Sequence, residues 1–570
     1  MPKINLLDAN AIDVEEAISR LFIFLRTGGR LIRRTDKLIF TDDGPDAESP
    51  STVVNTVLDE AGGKFHGITD DQRRSLVAGW FDSHFAMTSR RGKSAGGEYR
   101  MSGLRPLHYA IIKLFNPRVR SQDRYLSDFF YNAIRTDPVL TGNTDSVFRT
   151  FFGVGVVPYG DNDYRINETE LSNLARQGQL DVELTFLLRM VEPFPADKYS
   201  PKKEDQVLPV AFLCEEQIDL LRQDLKLLFI YREHIPRREL ISYMTTLMVF
   251  HAALYFFQVV RITNHIAERR QPPPTRGEAP LPGDPRSHAP FALDIFCDCA
   301  NGHDATIDGL AKQSYLRHFK EVERYFRSAY LLKKLDEFAN QYMTADQKRQ
   351  SGPGYLDFLV QVFLSHKDLN GFFARDIEQV RQAGLDEETG EYNREIEATI
   401  DTANRRGLNK LQTFVEILYH CQYPTLREQH RKLLAGLGRI DQDSGFLAGK
   451  GRQKRKYVLG NELLEVLIQL AVLKPVASDG SWGSKPIPIS EFVDWLKGRY
   501  GLLIDTAGPE VEENEEINRA LAANMAALKT RLRQLGFFTD LADASNSQVI
   551  TPRFRIQGAQ IETQPPATAA

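Results

Sequence analysis

The chain has 570 residues, of which 42% are hydrophobic and 26% are charged. This is ordinary globular usage, and it excludes a wholly disordered, collagen-like or disulfide-stapled protein. Lys and Arg number 72 against 76 Asp and Glu, so the net charge is −4. A polyanion-binding role for the chain as a whole is thereby excluded, although local basic patches are not. A chain of this length predicts two to four domains, each with its own core.

The sequence predicts a cytoplasmic protein. Four cysteines are too few for a disulfide framework, and acidic residues from Asp8 onward interrupt the start of the chain, so we expect no signal peptide. The uncharged run from Leu240 to Val260 is long enough to cross a bilayer. Because polar residues such as Thr245 and His251 interrupt it, we expect a buried core helix and no membrane contact. His251 is then a hydrogen-bonded core histidine.

Composition divides the chain at two places. Residues 271–290 contain seven prolines, which deny the backbone its donors and predict a linker or loop. Residues 441–456 change from an amphipathic helix to glycine and basic residues. The predicted organisation is a basic, aromatic-rich, mostly helical domain over 1–160, a long-helix core region over 161–270, the Pro-rich segment 271–290, a helical domain over 291–440, a basic connector over 441–456, a winged-helix-like domain over 457–556 and a disordered tail over 557–570.

Apolar periodicity predicts a mainly α, multi-domain fold with a helical body and a few short strands. The N-terminal half gives helical patterns at 10–26, 69–87 and 104–150, short strands at 31–32 and 38–40, and its strongest strand at 151–159. Two long helices follow between 215 and 268, broken at His234-Ile235-Pro236. Beyond the Pro-rich segment, the helical period recurs at 310–340, 355–383, 393–404 and 408–437.

Residues 457–556 predict an α+β module. The order is helix (461–473), short strand (487–489), a helix capped by Ser490, a third helix (517–535) ending at Gly536, and a hairpin of strands at 537–539 and 548–556. Helix, strand, helix, helix and hairpin in about 100 residues resembles a winged-helix domain.

The ligand of this module is less clear from the residues. Winged helices that read DNA place the N-terminal end of the third helix in the major groove, but here an acidic segment, 512–516, precedes that end and repels phosphates. Basic residues lie at the opposite end, where they also suit the helix dipole and a solvated surface. A second basic run precedes the module and suits either a phosphate backbone or a solvated connector. The candidate DNA contacts in these two places are Lys529, Arg531 and Arg533, and Lys450, Arg452, Lys454, Arg455 and Lys456.

A further basic region lies between residues 64 and 135, where thirteen Lys and Arg stand against six Asp and Glu. Aromatic residues are interleaved, and basic groups with aromatic faces suit single-stranded nucleic acid, although aromatics at helical spacing also build cores. The candidate contacts are Arg90, Arg91, Lys93 and Arg100. The tripeptide from Gly92 is not a phosphate-binding loop, because methionine occupies position 87, where that loop needs glycine.

The sequence predicts no catalytic residue, no metal site and no cofactor. Cys297, Cys299 and His303 have poor spacing for structural zinc, and Asp441 with Asp443 lies in a segment typical of a turn. No nucleophile elbow, metalloprotease motif or kinase motif occurs in the required context. Because catalytic groups can be scattered along a chain, an enzyme is less favoured but not excluded.

The combined layout resembles a known class of proteins. The features are the basic aromatic N-terminal half, the uncharged helix at 240–260, the segment FCDCANGHDATIDGLAKQSYLRHFKEVERYF at 296–326 and the winged-helix-like end. They are similar to large, motif-poor accessory proteins of bacterial anti-phage defence islands, of the methylation-associated or phosphorothioation-dependent restriction type. In those systems other subunits carry the methyltransferase, ATPase or nuclease. The resemblance implies a non-catalytic partner that joins DNA to the enzymatic subunits.

The sequence therefore favours a DNA-associated binding or assembly subunit, with DNA and other defence-system subunits as partners. Two alternatives stay open. One is a protein–protein scaffold without DNA contact, which uses the acidic segment 510–516 and mixed surfaces. The other is a metal-dependent nuclease with scattered carboxylates, of which Asp441 and Asp443 are one candidate pair.

Overall fold

A computed structural model describes a large part of the chain, in two compact units. The N-terminal unit comprises Ile12–Pro209 and Asp224–Thr245, and the C-terminal unit comprises Val210–Gln223 and Thr246–Gly558. The described residues are 9–30, 40–41, 67, 69–73, 75–76, 85–88, 98–104, 107–110, 123–142, 146–159, 163–178, 181, 184–185, 188–189, 192, 206–271, 289–341, 344, 346, 352–385, 392–449, 451, 454–476, 481–512, 514–538 and 548–559. The predicted domain boundaries stay predictions.

The fold is mainly helical with a few short strands, as predicted. The α-helices are α1 (Val14–Thr27), α2 (Leu126–Ile134), α3 (Val147–Phe152), α4 (Glu168–Arg176), α5 (Glu215–Phe229), α6 (Arg237–Arg269), α7 (Ala305–Ala339), α8 (Pro353–Ser365), α9 (Leu369–Ala383), α10 (Arg394–Arg405), α11 (Lys410–Leu437), α12 (Asn461–Ala471), α13 (Ile489–Tyr500) and α14 (Glu515–Gln534). The strands are β1 (Phe40–Thr41), β2 (Phe85–Thr88), β3 (Glu98–Leu104), β4 (Val156–Tyr159), β5 (Asp163–Ile166), β6 (Ile295–Phe296), β7 (Leu447–Ala448), β8 (Lys456–Tyr457), β9 (Leu473–Pro475), β10 (Trp482–Ser484), β11 (Ile487–Pro488), β12 (Leu502–Leu503) and β13 (Val549–Ile550).

An aromatic core holds the N-terminal unit together. Helix α1 begins at Asp13, whose side chain accepts from the Glu16 N–H, and it packs its apolar face against α2. The ring of Phe22 lies 4.5 Å from that of Phe152 in an edge-on arrangement, and Phe229 of α5 joins the same cluster. Such offset aromatic pairs contribute beyond their buried area.

Two predictions in this unit are wrong. Residues 85–88 form strand β2, paired antiparallel with β3, although the sequence predicts a helix there. Phe151 and Phe152 end helix α3 and do not begin the predicted strand at 151–159. The physical reason is that Phe148, Phe151 and Phe152 share one helical face, which is buried in the aromatic core. Only 156–159 is extended, paired with β5.

The two long helices are confirmed, with their break at 234–236. Helix α6 is long and apolar enough to cross a membrane, but 94% of its most apolar window lies inside the protein, as in the core helix of a soluble protein. His251 is buried, and its Nδ1 lies 3.1 Å from Nε2 of Gln217. The predicted role of His251 as a hydrogen-bonded core residue is therefore confirmed.

Helices α7 and α11 form the framework of the C-terminal unit. They pack along each other, and α9 and α10 pack against α11. The helical pattern at 355–383 is two helices, α8 and α9, with a break at 366–368. Strand β6 pairs in parallel with β12, so that Ile295 lies opposite Leu502. This pairing joins the start of the 291–440 region to the predicted winged-helix-like module.

Within 457–556 the three predicted helices are present as α12, α13 and α14, and the winged-helix assignment itself stays a prediction. Three details differ from expectation. Ser490 lies inside α13, which begins after Pro488 without a side-chain cap. Phe537 and Phe538 are buried outside any strand, and β13 pairs instead with β11. The residues before 487, for which the sequence predicts no strand, contribute the β9–β10 pair.

Candidate nucleic-acid interface

Lys456, the last residue of the predicted basic run, is held inside the C-terminal unit. Its Nζ lies 2.6 Å from Oδ2 of Asp298, which is fully buried, and 2.7 Å from Oδ1 of Asp308. Burial alone lowers the pKa of Lys456, but its hydrogen bonds to the two carboxylates outweigh burial and raise the pKa. The charge of Lys456 is thus neutralised within the fold.

Lys454 and Arg455 lie next to this buried pair in the chain, with Lys454 exposed and Arg455 half-buried. The Arg455 guanidinium donates to the backbone oxygen of Arg431 at 3.0 Å and to the hydroxyl of Tyr315 at 3.4 Å. Neither acceptor is a carboxylate, so these contacts fix the side chain without neutralising its charge. Lys454 is exposed, and among the described residues it has no ion pair. Lys450 and Arg452 lie outside the described residues.

Cations from α7 and α11 surround the connector. Lys312 shares Asp308 with Lys456, with its Nζ 2.5 Å from Oδ2 of that carboxylate. Arg427 lies one helical turn before Arg431 on α11 and pairs with Glu323 at 2.8 Å. We define the connector patch as Lys312, Arg427, Arg431, Lys454 and Arg455. Arg431 is paired in turn with Glu428 at 3.2 Å. The patch and Lys456 together make six cations against the four carboxylates that pair with them, so the patch is locally positive.

Helix α14 is fixed to the body of the unit by two buried polar side chains. The Asn524 amide donates to the backbone oxygens of Cys297 and Ile504 and accepts from the Cys299 N–H. One of the three predicted basic residues of this helix, Arg531, is also buried, and it donates to the Leu459 backbone oxygen and to Oδ1 of Asn461 at 2.8 Å. The inward face of α14 is therefore occupied by the protein itself.

The other two basic residues of α14 remain accessible. Arg533 is exposed and lies over the Phe538 ring at 5.6 Å, and Lys529 is half-buried. One further arginine lies at this end: Arg553 stacks over Phe537 at 4.6 Å, donates to the Leu535 backbone oxygen and pairs with Glu465. The accessible positive charge at this end of α14 is therefore that of Lys529 and Arg533.

The predicted N-terminal contacts are described only in part. Arg90, Arg91 and Lys93 lie outside the described residues. Arg100 belongs to β3 opposite Thr88 of β2, so the paired strands β2 and β3 flank the basic segment on both sides. These four residues stay predictions.

The cysteine and carboxylate candidates do not come together as a metal centre. Cys297 and Cys299 are buried, which raises the pKa of both thiols, that of Cys299 to about 12, whereas His303 is exposed. Protonated thiols are poor metal ligands. Asp441 accepts from the Gly449 N–H at 2.8 Å, as expected of a turn residue. Among the described residues, no three His, Cys, Asp or Glu side chains are placed to hold a metal ion.

Folding adds residues that sequence reasoning missed. Lys312 and Arg427 lie far from the connector in sequence, and no local signal distinguishes them from ordinary solvated helix residues. Their only sequence clue is helical position, since Lys312 falls one turn after Asp308 and Arg427 one turn before Arg431.

Fold and site together define a mainly helical protein with a basic surface patch on its C-terminal unit. Over residues 1–554 the chain matches the family model described as methylation-associated defense system protein MAD7, and it belongs to that family. It is therefore a component of an anti-phage defence system, and the resemblance seen in the sequence is confirmed. No curated protein and no solved structure matches the chain.

Proposed function

We propose that this protein is a non-catalytic, DNA-associated binding and assembly subunit of its defence system, acting in the cytoplasm with the system's other components. The observation that carries the proposal is the connector patch. It gathers cations from α7, α11 and the connector onto one surface, and phosphate oxygens are the natural ligands of such a surface.

The state of two connector cations, Lys454 and Arg455, supports this proposal. Lys454 projects from the connector without an ion pair among the described residues, and Arg455 is oriented by a backbone carbonyl and a hydroxyl. An arginine held in this way keeps its charge and some of its donors for a phosphate. Lys456 is excluded from the proposed contact, because Asp298 and Asp308 already neutralise it.

A second contact is proposed at the C-terminal end of α14. Lys529 and Arg533 are accessible there, whereas Arg531 stabilises the fold. Under this proposal the winged-helix-like module meets DNA with the basic end of its third helix, away from the glutamates at the other end. Arg90, Arg91, Lys93 and Arg100 supply a third proposed contact from the N-terminal unit.

Charge reversal in the connector tests the proposal. The variant Lys450→Glu/Arg452→Glu/Lys454→Glu changes three residues outside the buried pair, so we expect normal folding. Each lost phosphate contact removes roughly 0.9 from the slope of log K against log salt for a duplex. We therefore expect weaker binding of a fluorescent duplex and a flatter salt dependence.

A matched control comes from the exposed cations around α10. The variant Arg405→Glu/Arg406→Glu/Lys410→Glu makes the same change in net charge at exposed positions outside the proposed contacts. If both triple variants lose the same duplex affinity, the loss is explained by net charge alone, and a specific contact at the connector is contradicted.

A specific observation favours a second function, a scaffold for other protein subunits. Helix α8 keeps much of its apolar surface accessible: Leu364 is 53% exposed, and Phe358 and Val362 are only half-buried. Accessible apolar helix faces are typical of interaction sites. Under this alternative, Leu364→Asp abolishes co-purification of the neighbouring subunits after nuclease treatment, and wild-type protein shows no DNA binding.

A further inference from the structure

The guanidinium of Arg455 is anchored on one side and open on the other. Its Nη1 donates to the backbone oxygen of Arg431 on α11 at 3.0 Å and to the hydroxyl of Tyr315 on α7 at 3.4 Å. Its Nε is buried, whereas Nη2 is not buried and has no hydrogen-bond partner in the described part of the chain. The fold therefore fixes this side chain and leaves one of its amino groups for a ligand.

The charge of Arg455 is not neutralised by the elements that hold it. Helix α7, helix α11 and residues 438–449 are described throughout, and no carboxylate in them pairs with Arg455. Glu428 of α11 pairs with Arg431. The connector residues outside the described part carry no carboxylate either: they are Lys450, Arg452 and Gln453. An anion from outside the chain is therefore the natural partner of this guanidinium.

Anchoring lowers the cost of holding this side chain in a complex. Freezing one long, flexible side chain at an interface weakens affinity by roughly 3-fold to 10-fold. The exposed Lys454 bears that cost on binding, whereas folding has already ordered Arg455. We propose that Arg455 is the principal phosphate contact of the connector patch and that Tyr315 is the residue that positions it. The inference rests on the proposed DNA association and assigns the strongest contact within it.

The ligand of Arg455 is a backbone phosphate of duplex DNA, whatever the sequence of the duplex. The ring of Tyr315 packs against those of Phe319 and Tyr457, and all three rings are buried. These rings are thus closed to a stacking base. A fixed guanidinium still binds phosphate oxygens, which are the same in every sequence. We therefore expect Arg455 to contribute equally to the binding of all duplexes.

Anisotropy titration of the full chain with a fluorescent duplex tests the role of Arg455. The variants Arg455→Gln and Lys454→Gln remove the same charge from neighbouring positions, so their net charge is matched. We expect Arg455→Gln to weaken duplex binding by at least about 10-fold, and Lys454→Gln by no more than about 3-fold, because the cost of ordering Lys454 offsets its contact. Equal losses would overturn the role of Arg455 as the principal contact. Different losses for Arg455→Gln on two duplexes of unrelated sequence would overturn the phosphate contact.

The variant Tyr315→Phe tests the positioning role by removing one hydroxyl. We expect duplex binding to weaken by roughly 3-fold in the wild-type background. In the Arg455→Gln background we expect no further loss, because the hydroxyl acts only through Arg455. The matched control is Tyr457→Phe, which removes a buried hydroxyl without a described hydrogen-bond partner from a neighbouring ring and should leave the affinity unchanged. A loss in Tyr315→Phe that persists in the Arg455→Gln background would be a general effect on the fold and would overturn the positioning role.

The connector triple variant separates this inference from the proposed function. If the triple variant loses duplex affinity while Arg455→Gln binds as well as Lys454→Gln does, the inference is overturned and the proposed function stands. Wild-type protein that does not bind duplex at low salt overturns the proposed function itself. Loss of duplex affinity in Arg455→Gln and Tyr315→Phe, with Tyr457→Phe binding as wild type does, supports the inference.

Discussion

Replacing Lys456 by methionine separates a structural cation from the cations proposed to contact DNA. Methionine keeps most of the length of the side chain and removes only its charge and donors. Asp298, fully buried, is left without its counter-ion, while Asp308 keeps Lys312. The change therefore leaves one stranded charge in the interior of the C-terminal unit.

The cost follows from the partners that remain. Removing one member of a buried ion pair costs about 3–5 kcal/mol. Asp298 still accepts from the backbone N–H groups of Ala300 and Gly302, which places Lys456→Met near the lower limit, at about 3 kcal/mol. Adding Asp298→Asn removes the stranded charge, so we expect the double variant to be more stable than Lys456→Met alone.

Urea unfolding measures this cost. Trp482 and Trp495 both lie in the C-terminal unit, so in a Trp80→Phe background the tryptophan fluorescence follows the transition of that unit. The matched control is Lys454→Met, an exposed position two residues away, where we expect a change within about 0.5 kcal/mol. Equal stability of the two variants would refute the structural role of Lys456 and return this residue to the proposed DNA contact.

Three further outcomes follow from the same structure. Asn524→Ala leaves the backbone groups that bond to the Asn524 amide without a partner. We expect the free energy of unfolding in urea to decrease by about 3 kcal/mol or more. The control Asn518→Ala, at an exposed position of the same helix, should leave it almost unchanged. Burial and nearby cations lower the pKa of His318 in the folded chain to about 3. Between pH of about 6.5 and 3, therefore, His318 is protonated in the unfolded chain but not in the folded one. The free energy of unfolding should therefore decrease as the pH is lowered from about 6.5 to 3, by up to about 1.4 kcal/mol per pH unit. The variant His318→Gln should make this pH dependence shallower, and an unchanged dependence would contradict the lowered pKa of His318. Gly309→Ala lies in the exposed interior of α7 with open space around the added methyl group, and it should raise the melting temperature through a gain of about 0.5–1 kcal/mol.

Helical periodicity predicted most of the framework because most helices bury one face, whereas α6, which is buried nearly all round, was predicted from its long uncharged run. The long helices α5, α7 and α11 follow the one-sided apolar pattern. Short strands were harder to predict, since two-residue pairs carry almost no pattern. The parallel pairing of β6 with β12 joins residues about 200 positions apart and depends on tertiary packing alone.

Runs of basic residues predicted where positive charge lies but not which side chains face solvent. Lys454 and Lys456 are equivalent in the sequence, yet Lys456 meets Asp298 from a distant part of the chain. Arg531 likewise lies on the buried face of α14, whereas Arg533, two residues later in the same helix, is exposed. Composition cannot distinguish the buried basic residues from the exposed ones, because folding brings the carboxylates and carbonyls that bind them from distant parts of the chain.

The most direct measurement of DNA association is the affinity of the wild-type chain for a short fluorescent duplex at two salt concentrations. A surface that neutralises several phosphates releases counter-ions, so its affinity should fall steeply between about 50 and 200 mM salt. We expect that fall for the wild-type protein and a shallower one for the connector triple variant. Affinity that is unchanged across this range, or no binding at the lower salt, would contradict the proposed role.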